Sequence, residues 1–192
     1  MIAIVKYNAG NVKSVQNALQ ALGYPSVITD GPDQLKRAEK VIFPGVGEAS
    51  SAMAYLQKRG LDKLIKELKQ PVLGICLGQQ LLCSYSEEGN VDCLGIFDAA
   101  VRKFPPKEIV PHMGWNNLIN PKGSLFKNLD SSADFYFVHS FYCETTEETV
   151  AECDYILPFS AAMQKDNFYA TQFHPEKSAE VGSVILRNFL SL

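Results

Sequence analysis

The sequence has no Cys-x-x-Cys pair, and its 5 cysteines, at positions 76, 83, 93, 143 and 153, show neither zinc-site spacing nor an even disulfide framework. Free thiols in a reducing cytoplasm are expected, where most buried cysteines act as small hydrophobes. No apolar run is long enough to cross a membrane. The opening Met1-Ile2-Ala3-Ile4-Val5-Lys6 is apolar for only a few residues and has neither a basic leader nor a small-residue cleavage site, so it does not read as a signal peptide. An excess of positive charge is also missing. The 18 Lys and Arg are scattered against 21 Asp and Glu, for a net charge of -3, which disfavours nucleic acid as a partner. Of the 3 histidines, His112 and His139 share no ligand spacing, so neither a metal nor another cofactor is expected. Repeats, low-complexity tracts and linkers are lacking too. What remains is a chain of 192 residues, 46% hydrophobic, expected to form a single domain over residues 1–192. A domain of this size buries roughly 70% of its unfolded surface and needs no staple.

Short β-rich runs alternate with longer helical patterns through the first two thirds of the chain, as in βαβ units. Strands are predicted at Ile2 to Tyr7, Val27-Ile28, Lys40 to Phe43 and Pro71 to Ile75. Between them, Val12, Val15, Leu19 and Leu22 recur at helical spacing before Gly23, and helices are predicted over Ala49 to Arg59 and Leu61 to Lys69. After about Gly95 the pieces become short and β-rich: Ala99 to Lys103, Trp115 to Ile119, Phe135 to Val138, Phe141 to Glu144, Ser160 to Gln164 and Tyr169 to Phe173. A closing helix over Ala179 to Leu190 puts Val181, Val184, Ile185 and Phe189 on one face. The expected fold class is α/β: a flavodoxin-like, open, mostly parallel sheet with flanking helices and additional antiparallel strands in the C-terminal half.

Three segments could carry chemistry. In Val72-Leu73-Gly74-Ile75-Cys76-Leu77-Gly78-Gln79-Gln80 an apolar strand runs into Cys76, with glycines two residues to either side and a helical pattern at once. This is the thiol counterpart of a nucleophile elbow, in which small neighbours relieve a strained turn. A buried cysteine with two packing glycines is the plainer reading. The second segment, Tyr169 to Lys177, is predicted as a strand ending in His174-Pro175-Glu176. If the chain is extended there, the imidazole and the carboxylate point the same way, and the carboxylate can orient a base; a surface turn with an incidental ion pair is the alternative. In the third, Val41-Ile42-Phe43-Pro44-Gly45-Val46-Gly47-Glu48, two glycines can turn backbone N–H groups toward a reacting centre. A dinucleotide fingerprint is rejected there, because Ser50 stands where the third glycine belongs.

Together, Pro44-Gly45-Val46-Gly47, Gly74-Ile75-Cys76-Leu77-Gly78-Gln79-Gln80 and His174-Pro175-Glu176 resemble the three signatures of class I, or triad-type, glutamine amidotransferase domains, over essentially the whole chain. Within that family, Pro111-His112-Met113-Gly114-Trp115-Asn116 and Tyr136-Phe137-Val138-His139-Ser140-Phe141-Tyr142 are similar to the glutaminases that feed a cyclase in L-histidine biosynthesis. The opening Tyr7-Asn8-Ala9-Gly10-Asn11-Val12 fits the same group, with Lys6 and Ala9 as small departures.

The resemblance implies Cys76 as nucleophile, His174 as base and Glu176 as its orienter, with backbone N–H groups of Leu77 and, after a loop flip, Val46 as oxyanion donors. It implies a glutamine seat at Gly47, Gln80 and the His139-Ser140-Phe141 stretch. It also implies a heterodimer with a (β/α)8-barrel cyclase that makes imidazole glycerol phosphate and aminoimidazole carboxamide ribonucleotide, with Asn11, Trp115, Tyr136 and Lys177 at the partner interface. Trp115, the only Trp, would without that match be read as core. The alternatives are the glutaminase subunits of anthranilate synthase or pyridoxal phosphate synthase, a cysteine peptidase-type hydrolase, and a binding domain that has kept the fold.

Overall fold

The computed structural model describes residues 1–130 and 132–192. Its elements begin with β1 (Ile2–Val5), α1 (Val12–Ala21), β2 (Ser26–Thr29), α2 (Pro32–Arg37), β3 (Lys40–Gly45), α3 (Ala49–Lys58), α4 (Leu61–Glu67), β4 (Val72–Cys76) and α5 (Leu77–Leu82). They continue with β5 (Tyr85–Ser86), β6 (Val91–Asp92), β7 (Ala100–Lys103), β8 (His112–Asn117), β9 (Asp134–His139), β10 (Phe141–Cys143), β11 (Thr149–Tyr155), β12 (Leu157–Lys165), β13 (Phe168–Thr171) and α6 (Ala179–Leu190).

The central sheet has the order β2-β1-β3-β4-β13 in parallel, extended antiparallel by β12 and β11. Its parallel part is the flavodoxin-like order of doubly wound sheets, and the antiparallel extension comes from the C-terminal half, as expected. The unbroken apolar runs of β1, β3 and β4 are explained by burial on both faces. Ala3, Val5, Val41, Phe43 and Val72 pack with Met53 and Leu56 of α3 and Ile65 of α4. Ile2, Ile4, Ile42, Leu73 and Ile75 pack on the other side with Val15 and Leu19 of α1 and with Ile185 and Phe189 of α6. A second sheet, β10-β7-β5-β6, and the ribbon β8-β9 flank this core. Among the described residues no helix is long and apolar enough to cross a membrane.

Two expectations need correction. The strand placed at Trp115 to Ile119 runs over His112–Asn117 instead, because it pairs along its whole length with β9, from His112 opposite His139 to Asn117 opposite Asp134. The final strand ends at Thr171, and Pro175–Lys177 is a 3-10 turn, so the chain is not extended through His-Pro-Glu. Helix α2 and strands β5, β6 and β11 were not anticipated.

Candidate active site

The site gathers at the carboxyl ends of the parallel strands, where open α/β sheets place their ligands. Cys76 ends β4 and caps α5 with φ 53° and ψ -108°, a left-handed backbone that turns the thiol out of the sheet. The glycines permit this turn. A Cβ on Gly78 would stand 1.7 Å from the Phe43 carbonyl oxygen, and one on Gly74 would lie 2.9 Å from the Gly78 backbone. Helix α5 therefore leans directly on β3, as the elbow requires.

His174 follows β13, and its side chain is fully buried, as is that of Glu176. The 3-10 turn, rather than an extended chain, brings the two together: His174 Nδ1 donates to Glu176 Oε1 at 2.7 Å. Nε2 is buried without a hydrogen-bond partner in the resting geometry. Burial disfavours the charged imidazole, yet the neighbouring Cys76 sulfur and the Glu176 carboxylate outweigh it and raise the His174 pKa to about 10. An imidazole held in this way is fitted to take the proton of a thiol, as a cysteine nucleophile needs.

In front of Cys76 lies a cavity of about 250 Å³, the size for a small polar metabolite. Its wall brings together Val46, Gly47, Cys76, Leu77, Gln80, His139, Ser140 and Phe141, and adds Glu88, Pro111 and Val138. Leu77 opens α5, so its N–H has no intrahelical acceptor and is free to meet an oxyanion. Val46 is held at its carbonyl by Gly10 N–H at 3.0 Å, and the buried Tyr7 hydroxyl donates to the Pro44 carbonyl at 2.7 Å. The loop after β3 is thus tied to the segment after β1. Burial, with the Cys76 charge added, pushes the Tyr7 hydroxyl well above its ordinary pKa, so it remains a donor.

His139 lines the cavity and is buried, its ring packed against His112 and Phe159. Nδ1–H donates to the Phe141 carbonyl at 2.7 Å, and Nε2 accepts from His112 Nδ1–H at 3.1 Å. Burial lowers His112 to about 4 and His139 to about 3, so both rings are neutral and serve as fixed donors and acceptors. Among the described residues no three His, Cys, Asp or Glu side chains are grouped to hold a metal.

The residues expected at a partner surface divide. Trp115 is 54% exposed rather than core, its ring meets Tyr136 edge-on at 6.0 Å, and the Lys177 ammonium lies 6.0 Å from the Tyr136 ring. Asn11 instead turns inward: its Nδ2 donates to Glu176 Oε1 and lies 3.4 Å from His174 Nδ1. Gln172, which sequence reasoning passed over, is fully buried with Nε2 3.6 Å from Cys76 Sγ. The available signal was one amide inside the apolar run Tyr169 to Phe173.

This fold and site define a triad-type thiol enzyme, and the chain belongs to the family described as glutamine amidotransferase class-I, whose profile matches residues 3–192. Among curated relatives, the imidazole glycerol phosphate synthase subunit HisH of Bacteroides fragilis (strain YCH46) is 60% identical, covering 100% of this chain and 99% of its own. The HisH subunit of Bacteroides thetaiotaomicron is 57% identical over the same shares, and that of Pasteurella multocida 46% over 98% of this chain and 96% of its own. Among solved structures, one described as a glutamine amidotransferase superposes with a TM-score of 0.78 at 19% identity, covering 99% of this chain and 97% of that one. At that identity the likeness is one of fold.

Proposed function

We propose that this chain is the glutaminase subunit of imidazole glycerol phosphate synthase, hydrolysing L-glutamine to L-glutamate and handing the ammonia to a (β/α)8-barrel cyclase subunit in L-histidine biosynthesis. The observation that carries the reading is a small cavity lined by Cys76, Leu77, Gln80 and the 139–141 stretch, with the buried His174–Glu176 pair beside the Cys76 sulfur, in a chain 60% identical to a HisH subunit. We read residues 1–192 as one such domain, working in the cytoplasm. The Cys76 sulfur attacks the side-chain amide carbon of glutamine, forming the S–C bond. Leu77 N–H, joined by Val46 N–H once the loop reorients, holds the negative oxygen. His174, carrying the thiol proton, gives it to the leaving nitrogen as the C–N bond breaks and ammonia departs. His174 then takes a proton from water, whose oxygen displaces sulfur to release glutamate. Glu176 keeps the imidazole in the tautomer that both steps use. Gly47, Gln80 and the 139–141 backbone seat the glutamine.

Ammonia freed into water is largely protonated and lost as a nucleophile, so its delivery requires a closed junction with the acceptor enzyme. Trp115, Tyr136 and Lys177 supply an exposed aromatic and cationic cluster for that junction. The test pairs the chain with a candidate cyclase. Cys76→Ala is expected to abolish glutamine-dependent product formation and to leave ammonia-dependent formation intact; glutamine-dependent turnover that survives the substitution refutes the reading. Full glutamine turnover by the chain alone would refute the loop reorientation.

A further inference from the structure

A buried carboxamide on the reacting sulfur is not used by the mechanism above. Gln172 lies just beyond β13 and is fully buried, where an amide must find partners for its N–H and C=O groups. One chain of contacts fixes which way it faces. The Phe141 carbonyl can only accept, so the Gln80 atom 3.0 Å from it is the amide nitrogen, Nε2. That same nitrogen lies 3.1 Å from the Gln172 carboxamide, which must offer its oxygen there. Gln172 Nε2 is then left to point at Cys76 Sγ, 3.6 Å away. Rotating the Gln172 amide by half a turn would set two N–H groups against each other and a carbonyl oxygen against the sulfur. The backbone carbonyl of Phe141 thus dictates, through two side chains, that the sulfur receives an N–H.

We infer that Gln172 is a catalytic residue: a pre-oriented N–H donor to the Cys76 thiolate, with Gln80 as the positioning residue that aims it. The inference rests on Cys76 being the nucleophile. The thiolate then has a neutral donor beside it in addition to the base His174, and that donor does not change its protonation state during turnover. It also gives Gln80 a task before substrate arrives, since its amide nitrogen is shared between Phe141 and Gln172.

Two substitutions test it in the complex with the cyclase. Gln172→Met keeps the length of the side chain and loses the amide; Gln172→Glu keeps the oxygen that Gln80 donates to and loses the N–H. A hydrogen bond to a charged group is worth enough that kcat for glutamine hydrolysis should fall about 10- to 100-fold, with KM changed less than about threefold. The rate at which iodoacetamide alkylates Cys76 at neutral pH, followed on the Cys76 peptide by mass spectrometry, should fall with it. Wild-type rates in both assays for either folded variant would overturn the inference, as would lost hydrolysis with unchanged alkylation. In the unsubstituted chain, the Gln172 side-chain N–H resonances should shift when Cys76 is alkylated, and unmoved resonances would overturn it without recourse to a variant. Failure of the underlying reading is separately visible, because Cys76→Ala would then still hydrolyse glutamine.

Discussion

Asn11 and Glu176 are 165 residues apart in the chain, and the Asn11 carboxamide donates to the same Glu176 oxygen that accepts from His174. The Asn11 backbone is left-handed, with φ 75°, a conformation Asn tolerates better than most residues. Two roles are therefore superposed at one position, and they can be separated. Asn11→Gly keeps the backbone and removes the carboxamide, so kcat for glutamine hydrolysis should fall about 5- to 10-fold with KM nearly unchanged. Asn11→Ala adds backbone strain of roughly 1 kcal/mol, visible as a lower melting temperature than the glycine variant shows. Equal kcat in wild type and Asn11→Gly would show that Glu176 needs no second donor.

Glu176 is the residue that sets the His174 tautomer. Glu176→Gln retains the shape and loses the charge, and its amide can as easily present N–H to Nδ1. A loss of about 10²- to 10⁴-fold in glutamine hydrolysis is expected, in the range seen when a triad carboxylate becomes an amide. Ammonia-dependent synthesis by the partner should not change. A drop in both activities would point to a disturbed fold instead.

Gly78 makes the elbow possible through contact, since its backbone φ is not among the positive ones. With the Phe43 carbonyl 1.7 Å from any Cβ, Gly78→Ala forces α5 away from β3 and moves Cys76 and Leu77 with it. Urea unfolding should show a loss of about 2 to 3 kcal/mol or more. At Gly74 the Leu82 side chain, 2.7 Å from the same test position, can give way, although the Gly78 backbone cannot. Gly74→Ala should therefore cost stability too, but less than Gly78→Ala.

The neutral histidine pair makes a statement about acid. His112 and His139 have folded pKa values of about 4 and about 3, below the ordinary 6.5, because burial disfavours their charge. The unfolded chain then binds more protons than the folded one below pH 6.5. Their contribution is complete above that pH and is lost as pH falls through 6.5 toward about 4 for His112 and about 3 for His139. His112→Phe keeps the stacking on Tyr155, whose ring centroid is 4.0 Å away, and removes one titration. Its unfolding free energy should be lower than wild type at pH 7 but should fall less steeply between pH 6.5 and 4; identical slopes would refute the assignment.

The doubly buried strands were legible because β1, β3 and β4 are apolar without interruption, and the elbow because two glycines flank one cysteine. The ribbon β8-β9 was harder. Met113, 65% exposed, and Trp115 face outward, so apolar alternation there marks an open surface and shifts the strand that sequence suggests. Strand β11 alternates Thr149, Ala151 and Cys153 inward, but polar neighbours dilute the pattern. Helix α2 carries Pro32 at its start and Lys36 and Arg37 at its end, yet buries only Leu35. Within the site, the motif residues could be read locally. Asn11 and Gln172 could not, because their partners lie 165 and 96 residues away and only folding brings them together.

Trp115, Tyr136 and Lys177 remain as a surface whose arrangement has consequences for assembly. Trp115 makes an edge contact with Tyr136 and leaves half its area to water, a costly exposure for the largest apolar side chain unless a partner covers it. Aromatic anchors of this kind dominate interface energies. Trp115→Ala should weaken association with the cyclase by about 2 kcal/mol, roughly 30-fold in Kd. The chain alone should keep its melting temperature, since the removed ring belongs to no core. Lys177→Ala should act mainly on the association rate and its salt dependence, because an exposed cation steers more than it binds. Titration calorimetry and stopped-flow mixing separate the two, and a Trp115→Ala chain that binds the cyclase as tightly as wild type would remove this face from the interface.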